Sequence, residues 1–383
     1  MNDSLPYVPA LTGLRAWAFG LVLLDHWVPF FHHLLMTGNG GVSLFLVLSG
    51  YLISRGLITA KVKQTPFKGY LLHFFRRRVQ RIFPLYFFVL FTLLIMNNEV
   101  IQQHWPYFFT FTANYYLIDH PNSQLDHLWS LSAEEQLYVV IPFLIWLCPL
   151  HRLPLLALIL IGASCLFRGT SFFLHPGPQW WAFSYESALG CLDCYGIGLL
   201  VAYLLAEKPA WAYQFFSSVR TLRLLLMVWG TVLLLGILWE VTKGGTYSNP
   251  ATAVCVRLAI AVFGGYLIGY CHSDARGRWT ALLTNPVCQY LGRISYGLYL
   301  FHNLIYNDTM PPSATARRSW RLVEGIPFFN LTQSPVSHHQ LELSFYLLLT
   351  ICLATFSWYF LEKPCLTLSS KRRKLSYFSY EPK

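Results

Sequence analysis

Long apolar runs separated by short polar loops repeat along this chain to its C-terminus. About 20 apolar residues are what an α-helix needs to cross the hydrocarbon core of a bilayer. The pattern therefore predicts an all-α polytopic integral membrane protein whose solvent is the lipid bilayer. The 55% hydrophobic and 12% charged composition agrees with that class. Ten candidate spans fall at 11–31, 40–58, 82–97, 132–149, 153–168, 189–206, 222–239, 253–271, 286–306 and 341–361. Several are short or polar for a span. The length would accommodate two or three soluble domains, yet no stretch reads as an independent one. The expected organisation is a transmembrane domain over 1–368 and a basic cytoplasmic tail over 369–383. The N-terminus has no basic n-region, and no small-residue cleavage site follows the first run, which reads as a retained helix.

The formal charge of +11 does not point to nucleic acid, because the basic residues gather in a few loops. Segment 55–81 carries Arg55, Lys61, Lys63, Lys68, Arg76, Arg77, Arg78 and Arg81 and no acid. Segment 97–130 carries Glu99, Asp119 and Asp126 and no Lys or Arg. The bias of Lys and Arg toward the cytoplasm puts 55–81 and the tail (Lys371, Arg372, Arg373, Lys374) inside, and 97–130 outside. Both termini are then cytoplasmic, which agrees with an even number of spans. Arg317, Arg318 and Arg321 in the outer loop 307–340 run against the trend. Cys191 and Cys194 form a CxxC in an apolar run with no second pair and no His ligands. They read as helix packing, and no metal site is expected.

Ionisable residues inside apolar segments are costly and are functional candidates by default. Arg15 and His26 lie eleven residues apart in the first segment, about three helical turns, so they share a face roughly 16 Å apart in height. Snorkelling at a helix end is the structural alternative. In HLWSLSAEEQLYVVIPF, His127, Glu134 and Glu135 mark the outer start of the fourth helix. Ser132 and Glu135 have capping-box spacing, yet two adjacent acids exceed what a cap needs. An acid level with His26 could orient the imidazole or accept its proton. Arg78 and Arg81, three apart at the cytoplasmic start of the third helix, offer forked donors suited to phosphate, although basic residues flank most spans. Ser49-Gly50 permits close helix approach; Ser49 has no base near it in sequence and does not read as a nucleophile. Ser295, Tyr296, Tyr299 and His302 put polar groups inside a late span, where His302 fits a packed, hydrogen-bonded histidine as well as a functional one.

Taken in order, R-x10-H from Arg15 to His26, GVSLFLVLSGYLI at 41–53, R-x-x-R at Arg78 and Arg81 followed by Pro84, HLWSLSAEEQLY at 127–138, GRISYGLYLFH at 292–302 and FLEKP at 360–364 resemble the acyltransferase family 3 membrane proteins. The resemblance covers nearly the whole chain and looks like the stand-alone form, without a C-terminal hydrolase-like domain. It implies a ten-helix domain moving an acyl group, usually acetyl, from cytoplasmic acyl-CoA to a hydroxyl of a carbohydrate or glycosylated acceptor such as a surface polysaccharide or lipopolysaccharide O-antigen. Carried onto this chain, His26 is the catalytic histidine, Arg15 its essential partner and Glu135 the acid of the outer motif. Arg78 and Arg81 help hold the CoA end of the acetyl-CoA donor. A bacterial inner membrane is the implied location, and the oligomeric state stays open. The rival from another class is a transporter or flippase whose Arg, His and Glu form a substrate or proton pathway.

Overall fold

The computed structural model describes residues 7–28, 37–122, 124–175, 177, 179–243, 250–274, 277–306 and 335–367. Among the described residues all regular structure is helical and no strand occurs. The helices are α1 Pro9–Trp27, α2 Thr37–Val62, α3 Phe67–Ile95, α4 Glu99–Phe109, α5 Ala113–Asp119, α6 Leu128–Leu147, α7 Leu153–Leu174, α8 Trp180–Glu186, α9 Leu192–Glu207, α10 Pro209–Ser217, α11 Val219–Lys243, α12 Pro250–Ser273, α13 Arg278–Thr284, α14 Pro286–Arg293, α15 Ser295–Ile305 and α16 Pro335–Ser357. Short 3-10 turns lead into α7 and α9, and α16 runs on into a π-helical turn at Trp358–Glu362. Residues 307–334, with the arginines of the expected outer loop 307–340, and residues from 368 onward lie outside the described residues.

Seven helical segments among the described residues are long and apolar enough to span a membrane. They correspond to seven of the ten sequence spans. The remaining three behave differently. The first, α1, is long enough but diluted by Arg15, Asp25 and His26; α6 is diluted by Glu134, Glu135 and Gln136. The expected single span at 286–306 is two helices. Ile294, at φ −91° and ψ 7°, leaves the helical region between α14 and α15, and the polar Gln289 and Arg293 make α14 amphipathic rather than apolar.

The helices form two compact units. In the first (α1, α2 and α5–α14), α2 and α9 are central and mostly buried, while α7 and α11 turn apolar side chains outward. Without a hydrophobic drive between helices in lipid, close backbone approach through small residues supplies the packing. A Cβ at Gly198 of α9 would overlap the backbone of Gly50 and Tyr51 in α2, so that crossing needs glycine. The helix α1 is gripped from two sides in the same way: Gly41 of α2 meets the Ala18 carbonyl, and Gly13 meets Leu283 of α13. Asp25 ties the end of α1 to the start of α2. Its Oδ1 accepts from the Gly38 amide at 2.8 Å and from Thr37 Oγ1 at 3.5 Å, so an acid without an evident role in the sequence serves the first turn of α2.

The second unit comprises α3, α4, α15 and α16. Tyr86 of α3 donates to the Phe108 carbonyl at 2.9 Å, tying α4 down, and Tyr296 of α15 donates to the Ile82 carbonyl of α3 at 3.0 Å. Gly297 lets α15 lie against Ala354 and Ser357 of α16.

Candidate active site

The first unit holds Arg15, His26, Glu134 and Glu135. The α1 helix is unbroken from Pro9 to Trp27, so Arg15 and His26 ride on one rigid rod with the separation the spacing predicts. Ala16, Ala18, Phe19 and Val22 of that rod are buried, whereas Arg15 and His26 are half-buried. His26 stands in the last turn, one residue from the Asp25 cap and next to the buried Trp27. Its position is therefore fixed by the packing of α1 and by the hold of Asp25 on the first turn of α2.

The polar start of α6 is built differently from what the S-x-x-E spacing suggests. The helix begins at Leu128, four residues before Ser132, and the Ser132 hydroxyl donates to the Leu128 carbonyl one turn back at 3.2 Å. Ser132 is thus an interior residue and the capping box is absent. The reason is that LWSLSAEEQ is continuous helix, so a sequence signature of an N-terminus lands in mid-helix. Glu135, freed from a capping explanation, is half-buried in the second turn. Glu134, its neighbour, is committed to α2: its Oε1 accepts from Ser49 Oγ and from Tyr138 OH, whose oxygens lie 3.1 Å apart. On the other flank, Gln136 Nε2 donates to the Phe111 carbonyl at 2.8 Å and to Asn114 Oδ1 at 2.9 Å. Phe111 has φ 55°, a costly conformation for a bulky residue, and the Gln136 contact helps hold it. Successive helical residues point about 100° apart, so Glu135 projects between the side committed to α2 and the side committed to α5.

A buried ionic cluster lies deeper in this unit. Arg168 of α7 is paired with Asp193 of α9 at 2.8 Å, and both are fully buried. Arg168 Nη1 also donates to Ser164 Oγ at 2.9 Å and to the Gly190 carbonyl at 2.8 Å. Arg257 of α12 donates to the Tyr185 carbonyl at 2.6 Å and to Cys191 Sγ at 3.1 Å, with its guanidinium 4.1 Å from the Tyr185 ring centre. The CxxC cysteines are buried parts of this packing, and among the described residues no three His, Cys, Asp or Glu side chains converge as metal ligands would. Next to the cluster, burial pushes the Glu186 carboxyl well above the usual range, reinforced by Asp126 and opposed by Arg257. Burial also raises Asp126 to about 6, against the stabilising Asn122 amide.

The second unit holds Arg78 and Arg81. Both are half-buried on α3 while Arg76 and Arg77 are exposed. Arg78 lies over the Phe74 ring, 5.6 Å from its centre. Arg81 lies within electrostatic reach of Glu362, a buried acid in the π-helical turn whose Oε1 accepts from Ser357 Oγ at 3.1 Å. His302 is fully buried, with Nδ1 2.6 Å from the Tyr299 carbonyl, a packed and hydrogen-bonded histidine.

A protein family described as "Acyltransferase domain" matches residues 8–362, nearly the whole chain. The chain belongs to acyltransferase family 3. The peptidoglycan O-acetyltransferase OatA of Listeria monocytogenes is 26% identical over 344 residues, covering 84% of this chain and 53% of that protein. The O-acetyltransferase OatA of Staphylococcus aureus is 34% identical over 165 residues, covering 38% of this chain and 26% of that protein. The chain therefore spans about half the length of the Listeria relative. No solved structure gives a significant match. The family match takes in all five sequence candidates, Arg15, His26, Arg78, Arg81 and Glu135. The Ser49–Glu134–Tyr138 contact, the Asp25 cap and the Arg81–Glu362 neighbourhood escape sequence reading, because each joins residues on different elements.

The Glu134 contacts are open to a direct test. Glu134→Gln replaces an acceptor of two hydroxyl hydrogens with an amide and is expected to lower stability by about 1–3 kcal/mol. A parent-like thermal midpoint in detergent for this variant would remove the structural role assigned to Glu134.

Proposed function

We propose that this chain is a membrane O-acetyltransferase that moves an acetyl group from cytoplasmic acetyl-CoA to a hydroxyl of a carbohydrate acceptor. Such an acceptor is a cell-surface polysaccharide or lipopolysaccharide O-antigen; peptidoglycan, named for the Listeria relative, belongs to the same chemical class. The observation that carries the reading is the family match over residues 8–362 together with α1, a packed helix keeping Arg15 and His26 half-exposed on one face. In this mechanism His26, as general base, takes the proton from the acceptor hydroxyl as its oxygen attacks the thioester carbonyl. The bond to sulfur breaks, the acetyl group ends on the acceptor oxygen as the ester, and the leaving thiolate takes the proton back from the imidazolium and departs as the CoA thiol. Arg15 stabilises negative charge on the donor, and Glu135 is the acid that orients or discharges the imidazole. Arg78 and Arg81 hold the donor's phosphates through bidentate contacts. The protein sits in a bacterial inner membrane with both termini cytoplasmic, the orientation that the Lys and Arg distribution supports.

Acceptor-dependent release of free CoA thiol from acetyl-CoA by the purified protein is the direct test. Arg78→Ala and Arg81→Ala are expected to raise KM for acetyl-CoA while acceptor KM stays close to the parent value. Arg→Lys at either position should restore the donor KM only in part, because the ammonium lacks the planar fork. An unchanged donor KM with a raised acceptor KM would move both arginines out of the donor site. Transport of the acceptor without thiol release would favour the flippase reading.

A further inference from the structure

An apolar cleft of about 330 Å³ opens in the first unit between α1, α11, α12 and α13. Leu14 and Trp17 of α1, Leu226 of α11, and Trp279 and Leu282 of α13 are among its walls. Trp17, Trp279, Leu226 and Leu282 are exposed, so the cleft opens on the lipid-facing side rather than into a sealed core. Its volume is in the range of small-molecule sites, about 300–1,000 Å³.

One end of this cleft is marked chemically. Here α12 finishes, α13 folds back and α11 begins. Thr280 Oγ1 donates to the Asp274 carbonyl at 2.6 Å, holding α13 against the end of α12. Tyr266 OH donates to the Phe216 and Ser218 carbonyls at 2.9 and 3.2 Å, holding the start of α11 to α12. Trp279, Tyr266 and Tyr270 gather at this end, as aromatic residues do at the headgroup level. Three exposed arginines accompany them. Arg278 adjoins Trp279, Arg223 lies one turn before Leu226, and Arg220 lies one turn earlier still. Asp274, the acid adjoining this end, accepts from Tyr270 OH at 2.7 Å and leaves the end net positive.

The occupant must satisfy both halves. An acyl chain gains nothing from the apolar walls relative to the surrounding bilayer, since lipid tails are as apolar as leucine. Selective retention therefore has to come from the headgroup. We propose that the cleft holds one acyl chain of an anionic glycerophospholipid, with its phosphate against Arg223 and Arg278. One wall is α1, so the bound lipid braces the helix that carries Arg15 and His26.

The probe is native mass spectrometry of the purified protein titrated with phosphatidylglycerol or phosphatidylcholine of matched chains. The parent is expected to retain phosphatidylglycerol preferentially. Each arginine near an anionic headgroup contributes about fivefold in affinity. Arg223→Gln/Arg278→Gln should then weaken phosphatidylglycerol binding by about 25-fold while leaving phosphatidylcholine binding and the thermal midpoint unchanged. Leu282→Trp, which keeps both arginines but fills the cleft, should reduce retention of both lipids. Equal retention of the two lipids by the parent would overturn the proposal. So would undiminished phosphatidylglycerol binding by the folded double variant, or by Leu282→Trp. Saturable binding of palmitoyl-CoA in place of phospholipid, abolished by Leu282→Trp, would assign the cleft to a different ligand and equally overturn it.

Discussion

His26→Ala is expected to lower acetyl transfer by about 10²–10⁴-fold, the usual contribution of a positioned general base, without loss of insertion or of thermal stability. The structure explains why the two readouts separate. The residues that bury α1 are Ala16, Ala18, Phe19, Val22 and Trp27, and the close approaches to its neighbours are made at Gly13 and beside Gly41. The close backbone approaches at Gly13 and beside Gly41 are made without the imidazole ring. Asp25→Ala makes the opposite control, because it removes the acceptor for the Gly38 amide and should cost about 0.5–2 kcal/mol in stability. The comparison is a thiol-release rate measured beside a melting curve for each variant. Turnover near the parent rate by a well-folded His26→Ala protein would remove His26 from the chemistry.

Two kinds of information in the sequence had different reach. Apolar length is local and cumulative, so seven spans were legible from composition alone. Of the three segments that fall short of that test, α1 and α6 carry Arg15, His26, Glu134 and Glu135, whereas Arg78 and Arg81 sit on α3, which passes it. A membrane helix that holds Arg15 and His26, or Glu134 and Glu135, is less apolar for that reason. The dilution itself is the signal, and it can be read without a structure. Segment 286–306 shows its limit: adding up hydrophobicity across Ile294 joins an amphipathic α14 to an apolar α15, and the backbone break between them leaves no compositional trace.

Pair contacts had no such trace. Ser132 and Glu135 have the spacing of a cap, but spacing does not say where a helix starts, and Leu128 begins it. Ser49 lacks a base among its sequence neighbours, yet Glu134 reaches it from 85 positions away. Asp25, adjacent to the candidate base, is engaged by the next helix. The expectation that Arg78 and Arg81 bind the phosphates of CoA takes no account of Glu362, because FLEKP lies at the far end of the chain. In each case an isolated residue type suggested a role, and its partner decided how available it is.

Removing one member of the Arg168–Asp193 pair should have the largest effect on stability. The pair is completely enclosed, and Arg257 lies close enough for Asp193 to act on both guanidiniums. An isolated charge in such surroundings is far costlier than a matched pair. Asp193→Ala is therefore expected to destabilise the protein by about 3–5 kcal/mol, read as a large fall in the detergent melting midpoint. Replacing the whole pair tests the cause. Arg168→Met/Asp193→Leu removes both charges and should be markedly more stable than Asp193→Ala, since well-packed apolar replacements of buried pairs are often neutral. Ser164 and the Gly190 carbonyl would lose their guanidinium partner in the double variant, but the Ser164 hydroxyl still donates to Gly190 at 2.9 Å. The cluster also contains Arg257, whose charge the double variant leaves beside Glu186, Tyr185, Cys191 and Cys194. If that residual cation matters, adding Arg257→Met should raise the midpoint again. A parent-like midpoint for Asp193→Ala would mean that water or a backbone rearrangement neutralises Arg168, and the cluster would no longer account for how α7, α9 and α12 hold together.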